Sequence, residues 1–180
     1  MMRPHRFARH KCTMFLTAVA MLVFGAGCAT PPVLSQQFDA RSAGYVLSDG
    51  PNVIEGRASL MSRRGYVHTC QYSGVTLIPA TAYSSERMAV AFGNTDGGFA
   101  NDRAYERLPG NEYLARYMKY VACDEDGRFR FERVANGRYF VVADITWLVR
   151  WARFGGAVMR SVDVNGGEHR TVVLASNLPY

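Results

Sequence analysis

Asp124, Glu125 and Asp126, followed by Gly127, form the only run of adjacent acids in this 180-residue chain. Clustered carboxylates are the ligands that calcium takes, but the alternating acids and the distal Glu of a calcium loop are missing. The same residues suit a tight turn, because an Asp-Gly pair tolerates positive φ and its acids can stay in water. The turn interpretation is favoured, and we predict no metal site here.

The two histidines beyond the N-terminal region each have a neighbour that could take part in chemistry. His169 adjoins Glu168, but no Gly-x-Ser-x-Gly sequence supplies a nucleophile for a hydrolytic triad. His68 lies two residues from Cys70, but no second Cys-His cluster completes a tetrahedral metal site. We therefore predict no catalytic residue, no metal, no cofactor and no enzyme activity.

The first 27 residues are typical of an export signal. Residues 1–11 are basic and contain no acid, and residues 13–27 are apolar or small. This apolar run is shorter than the roughly 20 residues that a membrane-spanning helix needs. The pattern predicts a signal peptide over residues 1–27 that is removed on export.

The small residues directly before Cys28 resemble the lipobox of bacterial lipoproteins, although Gly25 stands where an aliphatic residue is usual. The resemblance implies cleavage before Cys28 and its acylation, including palmitate, which would anchor the chain to a membrane without spanning it. An ordinary cleaved signal with an incidental Cys28 is the alternative. Ala29 after the cysteine is similar to the sorting signal of enterobacterial outer-membrane lipoproteins. We expect a lipid-anchored envelope protein, facing the periplasm from the outer membrane.

The strongly basic composition of the chain comes mostly from this N-terminal region. Four of the 21 basic residues and none of the 15 acids precede Cys28, which leaves 17 basic residues against 15 acids and a net charge of +2. The charge of the exported chain therefore does not indicate nucleic-acid binding. No nucleic-acid partner is predicted.

Cys70 and Cys123 are the cysteines left once Cys12 departs with the signal and Cys28 is lipidated. Exported proteins usually pair such residues. The bridge would close a loop of about 50 residues and would stabilise the fold by roughly 4 kcal/mol in the chain-entropy model. We predict this disulfide, with free buried thiols and a metal pair as the alternatives.

Aromatic and arginine side chains, which are enriched in binding hot spots, provide the one functional hint. Trp147 ends an apolar strand and is predicted to pack in the core, whereas the residues after it are predicted to be exposed. Residues 94–111 are rich in Gly, Asn and Asp and are predicted to form a long surface loop. The predicted interaction surface consists of Tyr105, Arg150, Trp151 and Arg153.

Turn signals and short apolar runs predict a mostly β domain over residues 51–180. Two hairpins are expected, one joining residues 128–134 to 138–147 and one joining 157–164 to 170–175. In the first, Phe129 and Phe131 share the core face, with Arg133 as a third candidate. The other predicted elements are strands at 53–60, 74–80 and 113–121 and a helix at 84–92.

The region before this domain is predicted to be a tether. Residues 28–50 are rich in Pro, Ser, Gln and Gly, a composition that suits an extended segment holding the domain off the membrane. Phe38, Tyr45 and Val46 could nevertheless dock on the domain.

The order of the elements resembles the carboxypeptidase-regulatory-like domain, a transthyretin-like or prealbumin-like β-sandwich. The resemblance covers about residues 50–175 and is interrupted by an insertion at 84–111. It implies an all-β, Ig-like or transthyretin-like sandwich of about seven strands, with one short helix in the insertion and no catalytic residues of its own. The matching residues are Ile54 and Gly56; Val75 and Leu77; Asp124, Gly127 and Phe129; and Val134, Gly137 and Tyr139.

Together these features predict a non-catalytic envelope lipoprotein whose single sandwich is a structural or protein-interaction module. Its expected partners are the membrane, through the lipid anchor, and an envelope protein. The alternative is a glycan- or peptidoglycan-binding module that uses exposed aromatic rings.

Overall fold

Two facing β-sheets form the body of the domain, as the sequence predicts. The computed structural model describes residues 32–71, 73–101, 108, 110 and 112–177. Within these residues there are nine strands rather than about seven. The predicted all-β sandwich is confirmed, and its longest helix lies in the predicted insertion.

The first sheet is organised around β1, Asn52–Met61. Along one side, β9, His169–Asn177, runs parallel to β1. The other side of β1 is shared by two antiparallel strands, β6, Arg128–Val134, beside its first half and β2, Val67–Thr69, beside its last residues. The first sheet is therefore three strands wide at any level.

The second sheet has the order β4-β8-β7-β3-β5, with every pair antiparallel. Its central strands β7 and β8 are each thirteen residues long and pair along their whole length. The strands are β3, Gly74–Pro79; β4, Gly97–Asn101; β5, Lys119–Ala122; β7, Gly137–Val149; and β8, Ala152–Val164.

Strand β7 carries apolar side chains on both faces, and each face packs against another layer of the domain. Tyr139 and Val141 point into the space between the sheets, where they belong to the main core. Phe140 and Val142 point the other way and pack under helix α2, Ala82–Phe92. The domain thus has three layers: the first sheet, the second sheet, and α2 on the outer face of the second sheet.

Helix α2 confirms the predicted helix at residues 84–92, although it begins earlier. Its N-cap is Thr81, and Ser84, predicted as a possible cap, instead completes a capping box with Thr81. The helix ends at Gly93, whose φ of 77° is the left-handed conformation that glycine adopts at helix ends.

Both predicted hairpins are wrong in their pairing. Strand β6 pairs with β1, while β7 pairs with β3 and β8, so the Asn136-Gly137 turn carries the chain from one sheet to the other. The turn between β8 and β9 also crosses between the sheets. Since a strand buried on both faces lies at the centre of a sheet, β7 has a neighbour on each side, β3 and β8, which local turn signals do not identify.

The hairpin that does form joins β7 to β8 through Arg150 and Trp151. Both residues have positive φ, 46° and 73°, as a two-residue type I′ turn requires. Such turns are usually made by Asn and Gly, so this hairpin was not predicted from the sequence.

Three further differences concern local structure. The predicted strand at 113–121 begins with the short helix α3, Glu112–Ala115, and only then forms β5. The predicted loop at 94–111 contains the glycine-rich edge strand β4. Arg133 does not join Phe129 and Phe131 in the core, because a bulge against β1 gives it a φ of 55° and turns Val134 inward instead.

The described part of the predicted tether, residues 32–50, is not extended. It forms a short helix, α1, Ala40–Ala43, and a 3₁₀ helix, Gly44–Leu47. Val46 is fully buried, and the hydroxyl of Tyr45 donates a hydrogen bond to the carbonyl oxygen of Arg138. Phe38 packs edge-on against Tyr83 of α2, with ring centroids 5.9 Å apart. These three side chains dock as the sequence analysis allows, and this segment is folded onto the domain.

Asn52, at the start of β1, is fully buried and joins both turns that cross between the sheets. Its Nδ2 donates to the carbonyl oxygen of Val134 and to Oδ1 of Asn136, both at 2.9 Å. Its Oδ1 accepts from the backbone N–H groups of Gly167 and Glu168, at 2.9 and 2.8 Å. One amide side chain therefore holds the two crossover turns at this end of the sandwich.

The predicted disulfide between Cys70 and Cys123 is confirmed. Cys70 follows β2 of the first sheet and Cys123 follows β5 of the second, and their Cα atoms are 5.7 Å apart. The bridge therefore links the two sheets covalently. In the described part of the chain, no helix combines the length and apolar character needed to cross a membrane.

Candidate functional site

The candidate site lies at the end of the sandwich opposite Asn52. Strands β1 and β7 start together, where Asn52 contacts Asn136, and both run towards the same far end. At that end, the turn from β1 to β2 and the turn from β7 to β8 lie on the two sheets. His68 of β2 contacts Trp147 of β7, which shows that the two sheets meet there.

The inner face of the β7–β8 hairpin becomes exposed as it approaches its turn. Ile145 is 1% exposed, Trp147 is half-buried, and Val149 is 46% exposed. On β8, Phe154 lies directly opposite Trp147 and is also 46% exposed. Because cross-strand partners share a sheet face, Trp147 and Phe154 form one aromatic surface that the first sheet covers only in part.

The imidazole of His68 stacks on the indole of Trp147. The ring centroids are 3.7 Å apart and the ring planes differ by 2°. Burial lowers the pKa of His68 below its ordinary value, because desolvation disfavours the charged imidazolium. His68 thus covers one face of the Trp147 indole, so a ligand cannot stack on that face.

Trp151, at the hairpin turn, is the most exposed aromatic residue of this surface. Its side chain is 98% exposed although the backbone is held in a two-residue turn. On the neighbouring sheet, Tyr66 and Val67 are 67% and 64% exposed. The set is called the aromatic end below and consists of Tyr66, Val67, His68, Trp147, Val149, Trp151 and Phe154.

Positive charge accompanies these rings. Residues 61–68 and 146–154, which make the two turns, contain four arginines and no acid. A guanidinium group presents several N–H donors in a plane, which suits hydroxyl and carboxylate oxygens. The arginines are Arg63, Arg64, Arg150 and Arg153.

Three of the four residues predicted as an interaction surface therefore come together, since Arg150, Trp151 and Arg153 all lie at the hairpin turn. The fourth, Tyr105, lies outside the described residues, as does the predicted lipidation site Cys28. Trp147 was predicted in the core and instead lies half-buried at its edge.

The contributions of Tyr66, His68 and Phe154 to this surface were not predicted from the sequence. Tyr66 follows an ordinary turn signal, Gly65, and nothing local marks it as a binding residue. Phe154 joins the site only through its pairing with Trp147, so finding it required the β7–β8 register.

The acidic sequence 124–127 forms a turn, as predicted. Oδ1 of Asp124 accepts hydrogen bonds from the backbone N–H groups of Asp126 and Arg128, at 3.0 and 2.7 Å. Gly127 has a φ of 74°. Asp126 forms an ion pair with the side chain of Arg128, which neutralises its charge within the turn. Among the described residues, no three His, Cys, Asp or Glu side chains are grouped to hold a metal ion.

His169 takes part in an ion pair on the outer face of the first sheet. Its Nε2 lies 3.0 Å from Oε1 of Glu55, and Arg130 pairs with the same carboxylate. The hydrogen bond from His169, followed by that from Arg130, lowers the pKa of Glu55. The described partners of His169 are thus charged side chains of the sheet surface rather than a nucleophile.

Two open depressions lie away from the aromatic end. The larger, about 630 Å³, contains the ion pair of Glu55 with Arg130, and the smaller, about 520 Å³, contains that of Glu168 with Arg170. In each of them, an arginine is already paired with a carboxylate of the protein. The aromatic end is therefore the stronger candidate for ligand binding.

Comparison with known proteins identifies a similar solved structure. No family model matches the chain, and no curated protein matches it. A structure from Pseudomonas aeruginosa, described as "a putative carbohydrate binding protein", is 26% identical and superposes with a TM-score of 0.64. The similarity covers 78% of this chain and 99% of the other. It supports the all-β sandwich fold.

Proposed function

We propose that the domain binds carbohydrate through the aromatic end and catalyses no reaction on it. The observation that carries this proposal is the position of Trp151. Its indole is 98% exposed and its φ is 73°, a left-handed conformation that is unfavourable for a bulky residue. Neither property stabilises the fold, so the ring is best explained as a recognition element.

The chemistry of the surface fits a sugar. One face of a pyranose ring presents C–H groups, which pack well on the electron-rich face of an indole. Trp151 offers such a face in water, while Phe154 adds a second, half-exposed ring beside the stacked Trp147. The arginines of the same turns supply N–H donors for the hydroxyl groups around the ring. The description of the Pseudomonas aeruginosa protein supports this choice of ligand.

Retention on polysaccharides tests this proposal. Wild-type protein, Trp151→Ala and the control Tyr120→Ala are applied to immobilised peptidoglycan, chitin and polygalacturonate. Tyr120 is also exposed, at 67%, but belongs to edge strand β5. We expect Trp151→Ala to lower affinity about tenfold or more, the effect of roughly 1.4 kcal/mol, and Tyr120→Ala to bind like wild type. Equal retention of all three proteins, or none by wild type, contradicts the proposal.

A protein-interaction module is the second candidate function. Leu148 is 71% exposed and lies on the opposite face of the β7–β8 hairpin from Trp147. An exposed aliphatic side chain of this kind has no evident role in sugar recognition and fits the apolar part of a protein interface. If crosslinking to an envelope protein is lost in Leu148→Asp while wild type binds no polysaccharide, this second function replaces the first.

We also propose that the protein is exported and anchored to a membrane, with the outer membrane as the expected site, by lipid on Cys28. The disulfide between Cys70 and Cys123 supports export, because such bonds persist mainly in oxidising compartments. The anchor is tested by detergent partitioning of the full chain. Wild type should enter the detergent phase and Cys28→Ser should not, whereas equal partitioning would exclude lipidation of this residue.

A further inference from the structure

We infer that the ligand of the aromatic end is an acidic polysaccharide whose sugar units carry carboxylate groups, such as a polymer of uronic acids. This inference rests on the proposed function and specifies its ligand. It is based on the charge of the two turns, which together contain four arginines and no acid. The partner that such a surface favours carries the opposite charge.

One arginine of each turn, Arg64 and Arg150, lies near the stacked rings. Residue His68, four positions after Arg64, stacks on Trp147, three positions before Arg150. Since a strand rises about 3.3 Å per residue, each turn begins within roughly 10 Å of this stack. Arg64 and Arg150 therefore flank the aromatic rings from the two sheets.

Many arginines elsewhere on the domain pair with carboxylates, although Arg41, Arg116 and Arg160 form no ion pair within the described residues. Six of them lie within 4.0 Å of an Asp or Glu oxygen. In contrast, Arg64 and Arg150 form no ion pair with another residue in the described part of the chain. The six paired arginines are Arg57, Arg128, Arg130, Arg133, Arg138 and Arg170.

A guanidinium group without a carboxylate partner is suited to bind one from a ligand. Its planar donors match the two oxygens of a carboxylate in a bidentate arrangement. Arg150 directly precedes Trp151, so a sugar stacked on the indole would place its carboxylate within reach of this arginine. Arg64, on the other turn, would meet a further unit of the same chain, which favours a polymer over a single sugar.

Other polyanions fit the molecule less well. Nucleic-acid binding usually involves an extended basic stripe that follows many phosphates. Here the exported chain has a net charge of only +2, and the arginines of the aromatic end lie on two short turns rather than along a stripe. Regularly spaced carboxylates on a carbohydrate combine the ring faces and the charges that this surface can accept.

The inference is tested with matched ligands and matched variants. Binding of the full chain is measured by titration calorimetry with polygalacturonate, with the same polymer after reduction of its carboxyl groups, and with dextran sulfate. The test variant is Arg64→Gln with Arg150→Gln. The control variant, Arg41→Gln with Arg116→Gln, removes the same charge from exposed positions outside the aromatic end.

We expect polygalacturonate to bind at least about tenfold more tightly than its reduced form, and the affinity to fall as salt is raised. The test variant should lose about tenfold in affinity for polygalacturonate, and the control variant less than about twofold. Both variants should keep the thermal midpoint of wild type, because these side chains are exposed.

Three results would overturn the inference. If the reduced polymer binds as well as polygalacturonate, the ligand is a neutral glycan, and the proposed function stands without the acidic class. If dextran sulfate binds as tightly as polygalacturonate, the surface recognises anions in general. If none of these polymers, and neither peptidoglycan nor chitin, is bound, the proposed function fails as well.

Discussion

The imidazole of His68 lies parallel to the indole of Trp147 at 3.7 Å, with each ring coming from a different sheet. The pair closes the sandwich at the end where the short strand β2 replaces β6 beside β1. Packing of this kind partly shields the imidazole from water, and this desolvation lowers its pKa. The contact that holds the sheets together therefore also makes the stability of this end depend on pH.

The first prediction concerns this pH dependence. In the unfolded chain His68 takes up a proton near pH 6.5, whereas in the folded state it does so only at lower pH. The unfolded state thus binds more protons between these two values, so the free energy of unfolding should be constant above pH 6.5 and should fall as the pH drops below it. Urea unfolding of wild type at pH 7.5 and at pH 5.5 measures the difference.

The control for this measurement is His68→Phe, which keeps an aromatic ring on Trp147 and removes the titration. Other ionisable groups, including His169 and the carboxylates, are common to both proteins. The loss of stability between the two pH values should therefore be smaller in the variant. The same loss in both proteins would show that His68 does not contribute.

The second prediction concerns the disulfide between Cys70 and Cys123. It closes a loop with a sequence separation of 53, for which chain entropy gives a stabilisation of about 4 kcal/mol. The double variant Cys70→Ala with Cys123→Ala should lose about this much free energy of unfolding in urea titrations. Reductant should lower the stability of wild type to a similar level and should leave the variant unchanged. A reductant effect of equal size in both proteins would contradict the assignment.

The third prediction concerns Asn52, whose four hydrogen bonds hold both crossover turns. Asn52→Ala removes all four bonds of a fully buried side chain and leaves the buried carbonyl of Val134 without one of its donors, so the free energy of unfolding should fall by about 3 kcal/mol. Chemical denaturation measures this loss.

Asn94→Ala is the matched control for the Asn52 variant. Asn94 also accepts two backbone hydrogen bonds, from Asp96 and Gly97, but it is exposed. Its removal should cost less than about 1 kcal/mol. Equal losses at the two positions would mean that the burial of Asn52 has no special importance.

The fourth prediction separates stability from recognition at the hairpin turn. Trp151→Gly should raise the free energy of unfolding by about 0.5–1 kcal/mol, because glycine adopts positive φ without strain and the exposed indole makes little packing contribution. The same variant should lose polysaccharide binding. Thermal and chemical denaturation, run beside the retention assay, measure both effects.

Arg153→Gly provides the comparison for this variant. Arg153 lies in β8, outside the positive-φ residues, so glycine there should lower stability by about 0.5–1 kcal/mol through added freedom of the unfolded chain. A loss of stability in Trp151→Gly would indicate that the turn is not strained by its tryptophan.

Local signals were sufficient to predict several elements of the fold. Alternating residues located β1 and β6, and the apolar run located most of β7, because these patterns depend only on which faces are buried. The cysteine pair was predicted from the number of cysteines left after export. Each of these inferences needs only neighbouring residues or a simple count.

Pairing between strands could not be predicted in the same way. The turn at Asn136 and Gly137 has the sequence of a hairpin, but the strands on its two sides pair in different sheets and Asn52 holds it in the crossover position. The turn at Arg150 and Trp151 is a real hairpin without the residues that usually make one. For this reason the exposed arginines and tryptophan were found from the sequence, whereas their neighbours Tyr66 and Phe154 were not.

The folding of residues 32–50 onto the domain determines how far the sandwich could stand from a bilayer. If Cys28 carries the anchor, only four peptide steps separate it from Pro32, a span of at most about 14 Å at full extension. The domain would then lie close to the lipid headgroups rather than at the end of a long flexible linker. β1 begins directly after this segment and runs towards the hairpin tip, which lies at the opposite end of the sandwich from Asn52.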